Sequence, residues 1–288
     1  MLVTLPQGNT LAPGQKSPLV VTLTDPAGKT LVTQGEGHGK VRWADISVEA
    51  TVVTVNNKGV VQMPRIPWLS DGKTGHIHVT VPGHPDLVAD IDVQPRYNVA
   101  YRAAFSGSDG TSGFNGTDGI SGTSGASGSF DPNHPSAGGN GGDGTNGSDG
   151  SNGHDGDDGP PVLVRVALWP GNHPMLEVSV SGPSKQEEWF LVDPNGGSVS
   201  VASNGGSGGQ GGKGGKGGRG GSGGIGSPNG SDGHNGMDGQ DGHRGLDGSP
   251  GQITMIYDPQ TRAYIDAIHL PRFGPRPILR EQAVAPLW

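Results

Sequence analysis

Two patterns of apolar and polar residues divide the chain. Over residues 19–23, 46–55, 76–81 and 87–93 apolar and polar side chains alternate, the period of a half-buried β-strand. Turn-forming clusters separate these stretches: Asp25, Pro26, Ala27 and Gly28, then Asn56, Asn57, Lys58 and Gly59, then Pro82, Gly83, His84 and Pro85. Short strands at that spacing predict a β-sandwich over residues 1–104. Further candidate strands at 162–168, 176–180, 189–192 and 199–202 predict a second β module over 161–204. Two more, at 253–257 and 264–270, predict a C-terminal β hairpin and tail over 252–288 that joins the same base.

Between these stretches a period of three replaces the period of two. Glycine recurs at every third residue over 107–128, 138–159, 205–226 and 230–251. Of the 56 glycines, 41 lie in those four runs, whose only aromatic residue is Phe114. Disordered chain has no reason to repeat one length four times, and a collagen trimer needs parallel chains with abundant proline, whereas Pro250 is the only proline in the runs. Ser227, Pro228 and Asn229 alone join the third run to the fourth, a turn that makes the two antiparallel. The pattern therefore predicts two hairpins of arms, at 105–160 and 205–251, forming a bundle of four antiparallel helices of the polyglycine-II or polyproline-II type. With about 3.1 Å per residue, such an arm is about 65 Å long. The fold class expected is an all-β base carrying this bundle, with almost no α-helix.

Each arm has three rows of residues, and their composition predicts what faces inward. The third arm doubles its glycines, with Gly206, Gly209, Gly212, Gly215, Gly218, Gly221 and Gly224 beside the register set, and is expected to be the most enclosed. Its remaining row, which includes Lys213, Lys216 and Arg219, faces out. Elsewhere the residue before each glycine is mostly Asp, Asn or Ser, as in Asp143, Asn146, Asp149, Asn152 and Asp155, short side chains able to bond to neighbouring backbone amides in place of a core.

These arms resemble the glycine-rich tips of phage tail-fibre adhesins and, in the bundle alone, the snow-flea antifreeze protein. With the tail Ala285, Pro286, Leu287 and Trp288, the arrangement also looks like surface lipoproteins of soil predatory bacteria, and residues 23–29 are similar to bacterial immunoglobulin-like surface modules, so the sandwich is expected to be immunoglobulin-like. The adhesin resemblance implies that turns at the far end of the arms contact a receptor. Among these only the turn 129–137 is long enough to carry much side-chain chemistry. Its candidate ligand-binding residues are Phe130, Asp131, Asn133 and His134: an aromatic ring and an imidazole on a proline-stiffened loop are groups that stack on sugars or anchor a protein. The alternative is that Phe130 caps the bundle end and His134 fills a turn. A second candidate is the outward row of the first arm, Thr111, Phe114, Thr117, Ile120 and Thr123, whose threonines repeat regularly enough to order water or bind ice. Packing of that row on a neighbouring arm is the alternative, and it accounts better for Phe114 and Ile120.

His76 and His78 share one face of a strand but have no third ligand at motif spacing, so solvated strand histidines are expected and no metal site. The acidic stretch 154–159 matches neither an EF-hand nor the calcium nonapeptide. No nucleophile elbow, phosphate loop or zinc-protease helix occurs, so no catalytic residue and no cofactor is expected and the protein is read as a non-enzyme. A net charge of -8 argues against nucleic acid as a partner, and no apolar run approaches membrane-spanning length. The expected function is that of a cell-surface or envelope binding protein whose partner is a protein or glycan at a cell surface. The alternatives are a rigid spacer or envelope-assembly component, and an ice-binding protein. The location expected is extracellular or the bacterial cell envelope. Residues Met1 to Pro6 form no leader, so an export signal is expected to precede this segment.

Overall fold

The structure, a computed structural model, describes every residue except Pro26, Asn172 and Ser184. Pro26, part of the expected turn at 25–28, thus lies outside the described residues. The fold is mostly β-sheet, and the only helical segments among the described residues are 3-10 helices, three of them single turns and one longer.

Three small sheets form the first unit. Val20–Thr24 lies between Leu2–Thr4 and Thr30–Val32; Thr10–Leu11, His84–Pro95, Gly75–Val81 and Ser47–Thr51 pair in that order; and Val60–Gln62 lies between Lys16–Pro18 and Thr54–Val55. Alternation along these strands turns Val21, Val61, Ile77, Val79 and Val93 inward, where they pack with Leu11, Leu19 and Met63. The stretch 46–55, expected as one strand, is two strands in different sheets. Val52 between them has φ 65, a left-handed conformation that a β-branched residue rarely takes and that redirects the chain.

Ala100–Ser106, at the end of the expected sandwich, pairs with Ser198–Asn204 and, among the described residues, with no strand of the first unit, so it is described with a second unit. Facing that pair is a five-stranded sheet in the order Lys185–Val192, Leu176–Gly182, Val162–Leu168, Ile253–Tyr257, Ile278–Glu281. Val164, Val166, Val178, Val180, Phe190, Val192 and Met255 meet Ala103, Phe105, Val199 and Val201 in a single core. The C-terminal hairpin expected from 253–257 and 264–270 does not form. Asp258 accepts the Gln260 N–H at 2.9 Å and Pro259 occupies the first turn, which starts a 3-10 helix over Pro259–Ala267. The chain then enters the other sheet, where Ile268–His269 pairs with Ser198–Asn204.

The four glycine runs leave this second unit as arms that are neither helix nor sheet, yet their backbones are hydrogen-bonded along their whole length. Register glycines of arm one (107–128) donate to arm three (205–226), from Gly107 to Asn204 O at 2.9 Å through Gly128 to Ile225 O at 2.7 Å. Those of arm two (138–159) donate in the same way to arm four (230–251), from Gly138 to Pro228 O through Gly159 to Ser249 O. Both pairings are parallel. Three antiparallel pairings complete the set: arm two donates to arm one, arm three to arm two and arm four to arm three, each once in three residues. Arms one and four share no hydrogen bond, so arms two and three are the inner pair and one and four the outer corners.

The feet of the arms set their register. Ala100 lies opposite Ser198, and in the arms Asp109 Oδ1 accepts the Ser207 N–H, both pairs 98 residues apart. Val162 lies opposite Ile253, and Asn140 Oδ1 accepts the Ser231 N–H, both 91 apart. Each parallel strand pair in the base therefore runs straight on into a parallel pair of arms without slip.

Side chains supply the remaining bonds. Asp and Asn of arm two, from Asn140 to Asp158, accept seven successive N–H groups of arm four at 2.6–3.0 Å. Asp232, Asn235, Asp238, Asp241 and Asp247 of arm four accept register N–H groups of arm three. Asp109, Asn115 and Asp118 of arm one take another row of arm three, while Ser112, Ser121 and Ser124, one carbon shorter, make no such bond. Arm three thus has one row of amides bonded to arm two's backbone and the other two served in part by side chains of arms four and one, and carbonyls of arms four and one stand where its two glycine rows would carry Cβ atoms, which is the structural sense of its double glycine. Arm two has as many neighbours with only one glycine row. Thr145, Ser148 and Ser151 occupy its second row, where their hydroxyls accept the N–H groups of Ile120, Thr117 and Phe114 at 2.7–2.8 Å.

Adjacent glycines of arm two should therefore respond oppositely to substitution. A Cβ on Gly141 would overlap the Gly221 carbonyl oxygen, whereas one on Gly142 would stand 3.1 Å from Thr123 Oγ1, in the row that already carries Thr and Ser. Gly141→Ala is expected to cost about 3 kcal/mol or more and Gly142→Ala less than about 1 kcal/mol, read from thermal unfolding. Length should obey the same constraint. Removing one glycine triplet from every arm at matched heights should leave a folded protein, whereas removing one from arm one alone should abolish the cooperative transition, measured by circular dichroism and calorimetry.

Candidate functional site

At the far end of the arms the turns 129–137 and 227–229 meet, joined by the Ser227 N–H donating to Ser136 O at 2.9 Å. The longer turn is tied to itself. Ser129 N–H donates to Ser136 Oγ at 2.7 Å, Ser136 N–H returns to Ser129 O at 3.0 Å, and Asp131 accepts the Asn133 N–H through Oδ1 at 2.9 Å and the His134 N–H through its carbonyl at 2.9 Å. These are Asx and serine turns that hold the backbone while leaving the side chains out. Phe130 is 62% exposed and the His134 side chain 86% exposed. Asp131 Oδ2 stands 3.6 Å from His134 Nδ1, an ion pair when the imidazole is protonated.

The outward row of arm one stands in solvent. Phe114 and Ile120 are 84% and 75% exposed, and Thr111, Thr117 and Thr123 are exposed with them, so packing on another arm does not explain the row. Thr117 Oγ1 lies 3.1 Å from Ser148 Oγ across the seam with arm two.

On the exposed face of the first unit His76 Nδ1 lies 2.7 Å from Asp92 Oδ1 and His78 Nδ1 lies 2.6 Å from Asp90 Oδ1. The hydrogen bond to Asp92 raises the His76 pKa above its ordinary value, and the bond from His78 lowers that of Asp90. Among the described residues no three His, Cys, Asp or Glu side chains are grouped to hold a metal ion. The stretch 154–159 is occupied structurally, since Asp155 and Asp158 accept the N–H groups of Leu246 and Ser249.

The contacts that join the two β units were not picked out as a site from the sequence. Trp68, Trp189 and Trp288 form a cluster with ring centroids 5.4–6.0 Å apart, bringing the last residue of the chain onto the seam between the units. Beside it Glu188 is buried and accepts Arg65 Nη2 and Lys185 Nζ, both at 2.8 Å on Oε1. A signal existed: Glu188 has the same parity as Phe190 and Val192, which places a charge on the buried face of its strand. Asp71 accepts the Trp169 indole N–H at 2.8 Å and the Tyr97 hydroxyl at 3.3 Å, and burial, helped by Asp71, pushes the Tyr97 phenol well up. Under the C-terminal tail Glu177 is buried, with Oε2 accepting the Leu287 N–H at 2.6 Å and Oε1 without a partner among the described residues. Burial raises its pKa.

No helix among the described residues is long and apolar enough to cross a membrane. Compared with known proteins, the chain matches no family model, no curated protein and no solved structure.

A carboxyl whose folded pKa is raised contributes most below its unfolded pKa, and the contribution is lost as pH rises through the folded value. Glu177 should therefore weaken the fold from about pH 4.5 upwards as it ionises in place. Glu177→Gln retains an acceptor for Leu287 and removes the charge. The variant's melting temperature is expected to fall less than that of the unaltered protein between pH 5 and pH 8, as followed by calorimetry at matched ionic strength.

Proposed function

We propose that this protein is a non-enzymatic binding protein of a cell surface or cell envelope. In this reading an immunoglobulin-like sandwich and a second β module form the base, and the four arms are polyglycine-II-type helices making a rod about 65 Å long at about 3.1 Å per residue. The rod presents the turn 129–137 to a protein or glycan partner, in the manner of the phage adhesin tips that the arms resemble.

One observation carries the reading: the far turn is fixed by its own hydrogen bonds while Phe130 and His134 remain in solvent. Ordering a loop costs conformational entropy, and a preordered loop with an exposed aromatic ring spares a binding partner that cost. A minimal turn would close the bundle equally well, as Ser227, Pro228 and Asn229 do for the other hairpin.

The test is binding of singly labelled protein to whole bacterial cells and envelope fractions, beside a variant with residues 130–136 replaced by Gly and Ser. Loss of at least tenfold in affinity with an unchanged melting temperature is the expected outcome. Binding that is absent or equal in the two proteins overturns the tip as a recognition surface and leaves the rod as a spacer.

A further inference from the structure

We propose a second binding site, independent of the far turn: the groove between the two β units binds a neutral saccharide. The groove is open to solvent and offers about 830 Å³, within the size range of small-ligand sites. Ile66, Trp68 and Trp189 give it an apolar wall, and Arg65, Lys185 and Glu188 give it a polar one.

Three features of these residues point to a ligand of that chemistry. The first is the carboxylate. Glu188 is only 8% exposed, its Oε1 holds both cations, and its Oε2 is buried without a partner among the described residues. A buried polar atom left unpaired costs free energy unless some other group serves it; Oε2 is closed to solvent as it stands, so a hydroxyl donor in the groove serves it once the Glu188 side chain turns toward the groove.

The indoles are the second feature. Trp43 donates its N–H to Gln34 O at 3.2 Å and Trp169 donates to Asp71 at 2.8 Å. Trp68 and Trp189, which line the groove, and Trp288, which packs on both, donate to no protein acceptor among the described residues. Part-exposed indoles with a free N–H suit a partner that offers both C–H surface and acceptor oxygens.

Charge is the third. Arg65 and Lys185 are balanced by Glu187 and Glu188, so the groove selects neither anion nor cation. A pyranose meets all three conditions: its C–H face stacks on an indole, its hydroxyls donate to Glu188, and its oxygens accept from Arg65, Lys185 and the indole N–H groups.

The protein is titrated with chitohexaose and with cellohexaose, following tryptophan emission and binding heat, so that N-acetylated and unacetylated sugars are distinguished. Saturable binding of at least one is expected at up to millimolar sugar, with affinity falling at least tenfold in Trp189→Ala and in Ile66→Lys. The second variant alters an exposed side chain and spares the core. The variant with residues 130–136 replaced should bind the sugar as the unaltered protein does. Failure of both oligosaccharides to bind, affinity unchanged in Ile66→Lys, or loss of sugar binding in the turn variant each overturns the proposal; the last assigns the sugar to the far turn.

Discussion

A carbonyl oxygen of one arm stands where a neighbouring arm's register glycine would carry its Cβ, and the rest of the molecule depends on that approach. From Gly110 against His154 O to Gly248 against Asp157 O the same contact repeats with nothing between the backbones. Without a side-chain core, cohesion comes from peptide groups bonding directly between arms, each bond worth about 1 kcal/mol net and effective only because it recurs at every third residue. The same contact limits growth. Rows that meet a neighbouring backbone are glycine or carry mostly short polar side chains, Ser, Thr, Asn and Asp, that bond to it. Rows on the perimeter carry Phe114, Lys213, Met237 or Leu246, which hold off another arm, so the set closes at four.

Such a ladder has no register preference of its own, because every triplet resembles the next. The base supplies it. Parallel pairing of Ala100–Ser106 with Ser198–Asn204, and of Val162–Leu168 with Ile253–Tyr257, fixes offsets that the arms keep to their ends. These strands have the packing identity that the arms lack: Phe105, Val164, Val201 and Met255 fit one core in one alignment. The base is thus the element that makes a periodic sequence fold one way, and the equal lengths of the arms follow from starting at two matched strand pairs.

Much of this was legible in the chain, for identifiable reasons. Period three and period two are distinct signals, so the four runs and most strands stand where the pattern puts them. The roles of Asp143, Asn146 and Asp149 followed from side-chain length alone. What misled was local reasoning about non-local facts. The stretch 46–55 alternates throughout, but the positive φ of Val52 is imposed by two sheets that the alternation cannot distinguish. Residues 264–270 read as a strand partner for 253–257, yet Asp258 and Pro259 start a 3-10 helix between them. Phe114 and Ile120 read as contact residues because apolar side chains ordinarily are, but arms packed by glycine leave such residues no interior to enter. The tryptophan cluster joins positions 68, 189 and 288, a proximity that no spacing encodes.

Composition also misleads about chemistry. A net charge of -8, with Asp and Asn recurring along the arms, resembles a surface built for cations. In the structure one carboxylate or amide oxygen after another is already bonded to a backbone N–H, and Asp247 accepts from both Gly208 and Arg244, which lowers its pKa below the ordinary value. Arg244 itself stands where the row otherwise places an acceptor for the Gly211 N–H, so this row tolerates a missing bond more readily than the glycine row tolerates a side chain. The polar residues of the arms are largely spent on cohesion. Chemistry left unspent by the arms includes a turn ordered around exposed Phe130 and His134 and a groove where, among the described residues, indole N–H groups and one carboxylate oxygen have no partner. A structure that consumes its polar groups so thoroughly along its length makes those exceptions the places where selection for binding is to be sought.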